Sequence, residues 1–449
     1  MKRHMKAAGS RLRIGAGVAV AGMTAAGLVA CGSPQASGTA VSVISAPAQV
    51  VQTARGAVGY REVGSGPPLV LIMGYAGTLQ TWEPQLVDTL ARRFRVVIFD
   101  NAGIGSTQAL PTPLTIDAMA NQTSALISAL RLGRPDVLGW SMGGMIAQAL
   151  AVLHPAQVRR LVLCATFPGV GTVIPPQAAI NDLTNGNGLA VLFPADQAMA
   201  AAAFDAETES YPTAESATAT VIADQGKAAL SWFDGDDAAG RETSKISVPT
   251  LVADGTEDRL DAVANASAIA RLIPGSQLRL YPDAGHAFLF QEGTPFAVTV
   301  ESFLAGSPKP LTTEAIRAEY VAGEAAVTAA GETWVARLKG LSPQSASSGI
   351  DLPARPTTSA EVGPIDQPFA SALTDLDYQL LTAGATGTVG DAVTTFVAAD
   401  EKLADDILAL SALSGPTAKA WTATIKSDSD AEQQAKAALR TALGLPPER

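Results

Sequence analysis

Histidine is almost missing from this chain: three occur in 449 residues, at positions 4, 154 and 286. Any chemistry that needs an imidazole to carry a proton has only those three to draw on. Cysteine is scarcer, with Cys31 and Cys164 alone, which excludes a small scaffold stapled by many disulfides. Charged residues make up only 16% of the chain, and the signs are unequal, 31 basic against 42 acidic for a net charge of −11. Residues 1–30 hold Lys2, Arg3, Lys6, Arg11 and Arg13 and no acid, so the rest of the chain is more acidic still. An acidic body argues against nucleic acid as a partner and against electrostatic docking on anionic lipid. A comfortable membrane-spanning run is missing too, because the apolar stretch at 14–30 is too short.

What is present begins with that stretch. A basic start followed by a short apolar run reads as a targeting segment. It ends in LVAC, with Cys31 followed by Gly32 and Ser33. This resembles the lipobox of bacterial lipoproteins. The resemblance implies removal of a signal peptide at 1–30, a lipid on Cys31, and a membrane-anchored protein on the extracytoplasmic side of the envelope. A plain secretory signal and an uncleaved anchor are the alternatives. With Cys31 lipidated no disulfide within the chain is possible, and Cys164, inside LVLCAT, becomes a small core hydrophobe. Residues 31–50, rich in Ser, Ala, Gly and Pro, read as a flexible tether.

From residue 51 the chain alternates short apolar runs with helix-like stretches. Strands are expected at 68–73, 95–100, 136–140, 159–165, 249–254 and 277–281. Helices are expected at 79–92, 116–131, 142–153, 260–272 and 293–305. Apolar runs without alternation indicate strands buried on both faces, and the strand–helix rhythm indicates a mostly parallel sheet flanked by helices. The rhythm breaks over 170–245, an alanine-rich region with helix-like pieces at 195–207 and 216–232. An insertion at the loop ends of a sheet is placed to act as a lid. Residues 311–449 differ again, with no His and no Cys. Ile316, Tyr320, Val327, Trp334 and Leu338 share one helix face, as do Val393, Phe396, Leu403, Ile407 and Leu410. A Pro- and Ser-rich connector at 342–364 separates them, and the whole reads as a separate helical domain with no cofactor box.

The chemistry is concentrated in GWSMG at 139–143. A serine on a sharp strand-to-helix turn needs small neighbours, and glycines two before and two after supply them. The helix that follows aims its free N–H groups at the serine. The pentapeptide alone is a weak signal; the strand before it and the helix after it give it weight. A serine hydroxyl needs a base. His4 lies in the targeting segment, and His154 sits where a helix ends before Pro155. His286, in YPDAGHAFLF, follows the strand at 277–281, at the edge where open parallel sheets place their sites. By elimination it is the base. LVADGTEDRLD offers Asp254, Glu257, Asp258 and Asp261 as the acid that orients it. Asp258 is favoured by its place in the loop, with Asp254 the alternative.

The order Ser141, Asp258, His286, with the insertion before the acid, resembles the α/β-hydrolase superfamily over residues 51–306. GYREVGSGPPLVLIMGYAGTLQTWEP is similar to that family's opening strands and oxyanion turn, and FDNAGIGST to its D-x-R-G-x-G-x-S loop. GWSMGG is especially similar to the esterase and cofactor-free haloperoxidase branch. The resemblance implies an oxyanion hole formed by the backbone N–H groups of Tyr75 and Met142. Two residues depart from the pattern: Met73 stands where the family has histidine, and Ala102 where it has arginine. Trp140 either lines an acyl pocket or packs under the lid.

The expected protein is a lipid-anchored serine hydrolase acting on a carboxylic ester, without metal or organic cofactor, and carrying a C-terminal helical domain whose partner is unspecified. The apolar FPADQAMAAAAF at 193–204 points to an uncharged or lipid-like substrate. Perhydrolysis by the same residues, and a non-catalytic scaffold on a hydrolase fold, are the competing readings.

Overall fold

The structure is a computed structural model that describes residues 42–213, 216–306, 310–340, 359–409 and 417–447. The expected signal peptide, Cys31, Leu410 and most of the connector lie outside the described residues, as does the side chain of Leu338.

Eight strands form one sheet: β1 (Gln49–Thr53), β2 (Gly56–Val63), β3 (Pro68–Ile72), β4 (Arg95–Phe99), β5 (Asp136–Trp140), β6 (Leu161–Cys164), β7 (Thr250–Gly255) and β8 (Gln277–Tyr281). Their order is β1-β2-β4-β3-β5-β6-β7-β8. β1 pairs antiparallel with β2 and β2 with β4, while every pairing from β4 to β8 is parallel. The middle strands β5, β6 and β7 are buried at every position, which is why they read as unbroken apolar runs. Successive residues still serve opposite faces. Val70 and Ile72 join one core layer, and Leu69 and Leu71 the other.

The first layer is closed by α2 (Ile116–Ala129), α3 (Met142–Leu153) and α8 (Val263–Leu272); the second by α1 (Pro84–Ala91), α9 (Phe288–Gln291) and α10 (Gly293–Ala305). The helix expected over 79–92 is broken. A 3₁₀ turn at Leu79–Thr81 precedes α1, which starts at Pro84 because proline fits the first helical position and no earlier interior one. The helix expected from 260 starts at Val263, since Asp258 Oδ1 accepts the N–H groups of Leu260 and Asp261, each at 2.7 Å, and holds that segment as a turn.

Within residues 42–50, expected to be tether, 42–46 is packed while 47–50 is exposed. Val43 and Ala46 are buried, and the Arg61 guanidinium donates to the carbonyls of Val43, Ile44 and Ala46. No sequence pattern marks this, because the partner lies on the next strand.

Between β6 and β7 the insertion forms α4 (Gln177–Thr184), α5 (Gly188–Leu192), α6 (Ala198–Glu209) and α7 (Ala219–Phe233). After α10 come α11 (Thr313–Gly340), α12 (Ser359–Thr382), α13 (Gly387–Ala409) and α14 (Thr417–Ala442). Of the two expected stripes, Ile316, Tyr320, Trp334, Val393, Phe396 and Ile407 are buried, and Val327 and Leu403 are partly so. These helices lie directly on the insertion. Trp334, Ala404, Ile407 and Leu408 share a cluster with Met199, Ala202 and Ala203 of α6. Carboxylates crowd the same seam. Burial, then the neighbouring acids, pushes the carboxyls of Glu83, Glu401 and Asp405 up. Among the described residues no helix is long and apolar enough to cross a membrane.

Candidate active site

The strand order turns around at β3, which has β4 on one side and β5 on the other. A crevice opens there, outside the carboxyl ends of the strands. Ser141 sits at that end of β5, between the last strand residue, Trp140, and the first residue of α3, Met142. Its backbone is strained, with φ 57° and ψ −123°. Two glycines make the turn possible. A Cβ on Gly139 would lie 2.3 Å from the Gly143 carbonyl oxygen, and one on Gly143 would lie 1.9 Å from that of Ile72. The reason lies partly outside the pentapeptide, since β3 presses against the start of α3. Thr166 Oγ1 ties the turn down by donating to the Ser141 carbonyl at 2.7 Å.

Two residues far from it in sequence converge on the serine. His286 Nε2 lies 2.9 Å from Ser141 Oγ, and His286 Nδ1 lies 2.6 Å from Asp258 Oδ2. The imidazole is 1% exposed, so water does not compete for either bond. Of the two acids left open by the sequence, Asp258 is the one bonded to the imidazole. Its other oxygen takes the two N–H groups of Leu260 and Asp261, so this side chain accepts three hydrogen bonds. Asp254 closes β7 and accepts only the Gly255 N–H, at 2.8 Å; its second oxygen is buried without a donor. Burial, and then the charge of Asp258, holds the Asp254 carboxyl well above the usual range. Asp261 is raised the same way, for the same reasons in the same order, although Asn265 donates to it at 2.6 Å. Asp258 therefore sits, with donors to both of its oxygens, between two acids whose carboxyls burial pushes up. Glu257 takes no part; its N–H donates to the Ala284 carbonyl.

His154 is elsewhere. It ends α3, and its Nε2 lies 2.8 Å from Asn121 Oδ1. Cys164 is buried with a free thiol that burial pushes up, as befits a core residue.

Tyr75 lies in the loop after β3, next to the serine. A Cβ on Gly74 would be 3.2 Å from the Ser141 Cβ. Several supports of this site were not apparent in the sequence. Asn101 Nδ2 donates to the Met73 carbonyl at 2.8 Å, so the loop bearing Tyr75 is braced from the end of β4 rather than by an arginine at 102. Met73 itself is fully buried. The position of Asn101 after a strand, at the carboxyl edge, was a usable signal. Gln225 of α7 accepts the Ala76 N–H at 2.8 Å, and nothing near it in the sequence announces that. Trp140 Nε1 donates to the His286 carbonyl at 2.9 Å, and its ring stands 5.7 Å from the imidazole, edge-on to Phe290 at 5.1 Å. The indole therefore packs beneath the histidine and holds its loop.

A doubly wound sheet, a serine at the strand-to-helix turn after β5, and an imidazole after β8 define the α/β-hydrolase class. The chain belongs to the alpha/beta hydrolase fold family, whose sequence profile matches residues 67–293. It is 30% identical over 270 residues to RutD of Caulobacter sp., a protein named as a candidate carbamate hydrolase, covering 55% of this chain and 96% of that one. It is 41% identical over 110 residues to BpoC of Mycobacterium tuberculosis, named as a candidate non-heme bromoperoxidase; that match covers 24% of this chain and 42% of that one. An alpha/beta hydrolase fold protein from Chitinophaga pinensis superposes with a TM-score of 0.50 at 25% identity, over 59% of this chain and 98% of its own. The protein is a hydrolase of this family.

Proposed function

We propose that the protein hydrolyses a carboxylic ester through an acyl-enzyme, with Ser141, His286 and Asp258 as the catalytic residues. The observation that carries this is the unbroken hydrogen-bonded line from Asp258 through His286 to Ser141. Ser141 Oγ attacks the ester carbonyl carbon while His286 Nε2 takes its proton. Asp258 stabilises the imidazolium and fixes which nitrogen faces the serine. The carbonyl oxygen, now an oxyanion, is held by the backbone N–H groups of Tyr75 and Met142. Such donors contribute about 3–4 kcal/mol each in comparable enzymes. Met142 opens α3, so its N–H is free of an intrahelical partner. The proton passes from His286 to the departing alkoxide as the C–O bond breaks. Water then attacks the acyl-enzyme with His286 as base, releasing acid and free serine.

An apolar substrate is supported by the aromatic packing between the insertion and the helix that follows the histidine. Phe193 and Phe204 of the insertion stand 5.6 Å apart, and Phe204 stands 4.9 Å from Phe290. The likeness to BpoC favours a second reading, perhydrolysis, in which hydrogen peroxide replaces water on the same acyl-enzyme. We also infer an envelope lipoprotein acylated on Cys31; mass spectrometry of the mature N-terminus tests that.

A fluorophosphonate probe tests the chemistry. Wild type and His154→Ala should label; Ser141→Ala and His286→Ala should not. Folded wild type that fails to label would leave a scaffold on a hydrolase fold as the reading.

A further inference from the structure

One side chain of the insertion reaches the loop over the serine and is left half used. Gln225 of α7 is fully buried. Its Oε1 accepts the Ala76 N–H at 2.8 Å. That bond assigns the two ends of the amide, since only the oxygen can accept. The other end, Nε2, is buried and finds no acceptor among the described residues. Buried amide N–H groups are nearly always paired, so an orphan beside an active site calls for a partner that arrives from outside.

Its location says what that partner is. Ala76 follows Tyr75 and holds a left-handed φ of 58°, strain that a non-glycine residue keeps only when its surroundings impose it. Gly74, on the other side of Tyr75, meets Ser141. One residue along α7, a Cβ on Gly226 would touch the Tyr75 hydroxyl at 3.6 Å; one turn back, Val221 meets Gly103. The helix is thus pressed onto both loops that border the serine, with the Gln225 amide fixed to the one that carries the Tyr75 N–H. The oxyanion loop stays beside the acyl group, which remains bound through both chemical steps, whereas the alcohol leaves.

We infer that Gln225 is a positioning and specificity residue: Oε1 holds the turn that aims the Tyr75 N–H, and Nε2 donates to a second oxygen in the acyl part of the substrate. The preferred substrates are then esters whose acyl chain carries an ether, keto or hydroxyl oxygen close to the scissile carbonyl. This rests on the ester-hydrolase reading.

The test compares p-nitrophenyl methoxyacetate with p-nitrophenyl butyrate, acyl groups of equal length that differ by one oxygen. Full-length wild type, Gln225→Met and Gln225→Glu are assayed, with thermal melts to establish folding. Both variants lose the amide donor, so the methoxyacetate-to-butyrate ratio of kcat/KM should fall about tenfold in each. Loosening of the lid alone would slow both esters equally and leave the ratio in place. Folded variants that keep the wild-type ratio overturn the inference while serine labelling stands. Absence of labelling in wild type would overturn the underlying ester chemistry instead.

Discussion

Two regions of this molecule bury carboxylates, and they do it in opposite ways. Beside His286, Asp258 accepts three hydrogen bonds, and the carboxyls of its two acidic neighbours are pushed up by burial. In the C-terminal helices, acids meet acids. Asp377 and Asp400 are buried against each other, and Asp406 is buried against Asp428. Burial, then the charge of Glu432, pushes Asp400 to about 8. Burial, then Asp428, brings Asp406 to about 7. Glu301 of α10 is brought to about 7 by burial, even with the Tyr378 hydroxyl donating to it at 3.0 Å. A charge can be kept in the interior when donors are fixed around it; without donors a proton must be kept instead. The first arrangement surrounds one acid with fixed donors and orients the imidazole. The second makes the packing of the helices depend on pH.

The comparison can be broken most sharply at Asp258. Asp258→Asn should lower kcat/KM on p-nitrophenyl butyrate by about 10³–10⁴-fold, because the amide donates where the carboxylate accepted and turns the imidazole to the wrong tautomer. Asp254→Asn replaces an acid whose carboxyl burial pushes up by a neutral amide of the same shape, and should cost less than about threefold in the same assay. Equal losses from the two would mean that the charge is shared across the corner.

Gly143→Ala separates site geometry from electrostatics. The new Cβ, 1.9 Å from the Ile72 oxygen, must displace β3 or α3. Soluble yield or melting temperature should drop by an amount equivalent to about 3 kcal/mol or more, with serine labelling lost in whatever folds.

The helices respond to pH with a definite sign. Glu301, Asp406 and Asp400 have folded values above those of the unfolded chain, so the folded state holds extra protons between about pH 4 and pH 8. Their contribution is complete below the unfolded carboxylate range and is lost as pH rises through 7 and 8. Melting temperature should therefore fall by about 5 °C or more between pH 5.5 and pH 8.5. Asp400→Asn should flatten that slope and leave kcat/KM unchanged. A slope as steep as that of wild type in this variant would exclude Asp400 as one of the titrating groups.

Trp140→Phe gives the smallest effect. It removes the hydrogen bond to the His286 carbonyl, costing about 1 kcal/mol of stability. It should slow turnover a fewfold without abolishing labelling.

Periodicity carried much of the fold. The strands β3 to β8 and the helices α3 and α10 fall where apolar runs and helical spacing place them, because burial on both faces or one face leaves a pattern in neighbouring residues. The 3₁₀ break before Pro84 and the packing of residues 42–46 on Arg61 left no such pattern. Nor did the seat of the C-terminal helices on α6, since one amphipathic face looks the same whatever covers it.

By itself, the chain determined which residues were available: three histidines, one serine in a glycine-flanked turn, and a short run of acids after β7. Tertiary structure decided among them. Residues 141, 258 and 286 meet only because the parallel sheet brings the carboxyl ends of β5, β7 and β8 to one edge. Whether a buried acid keeps its charge depends on donors brought by other segments, and that count cannot be read along a single strand of sequence.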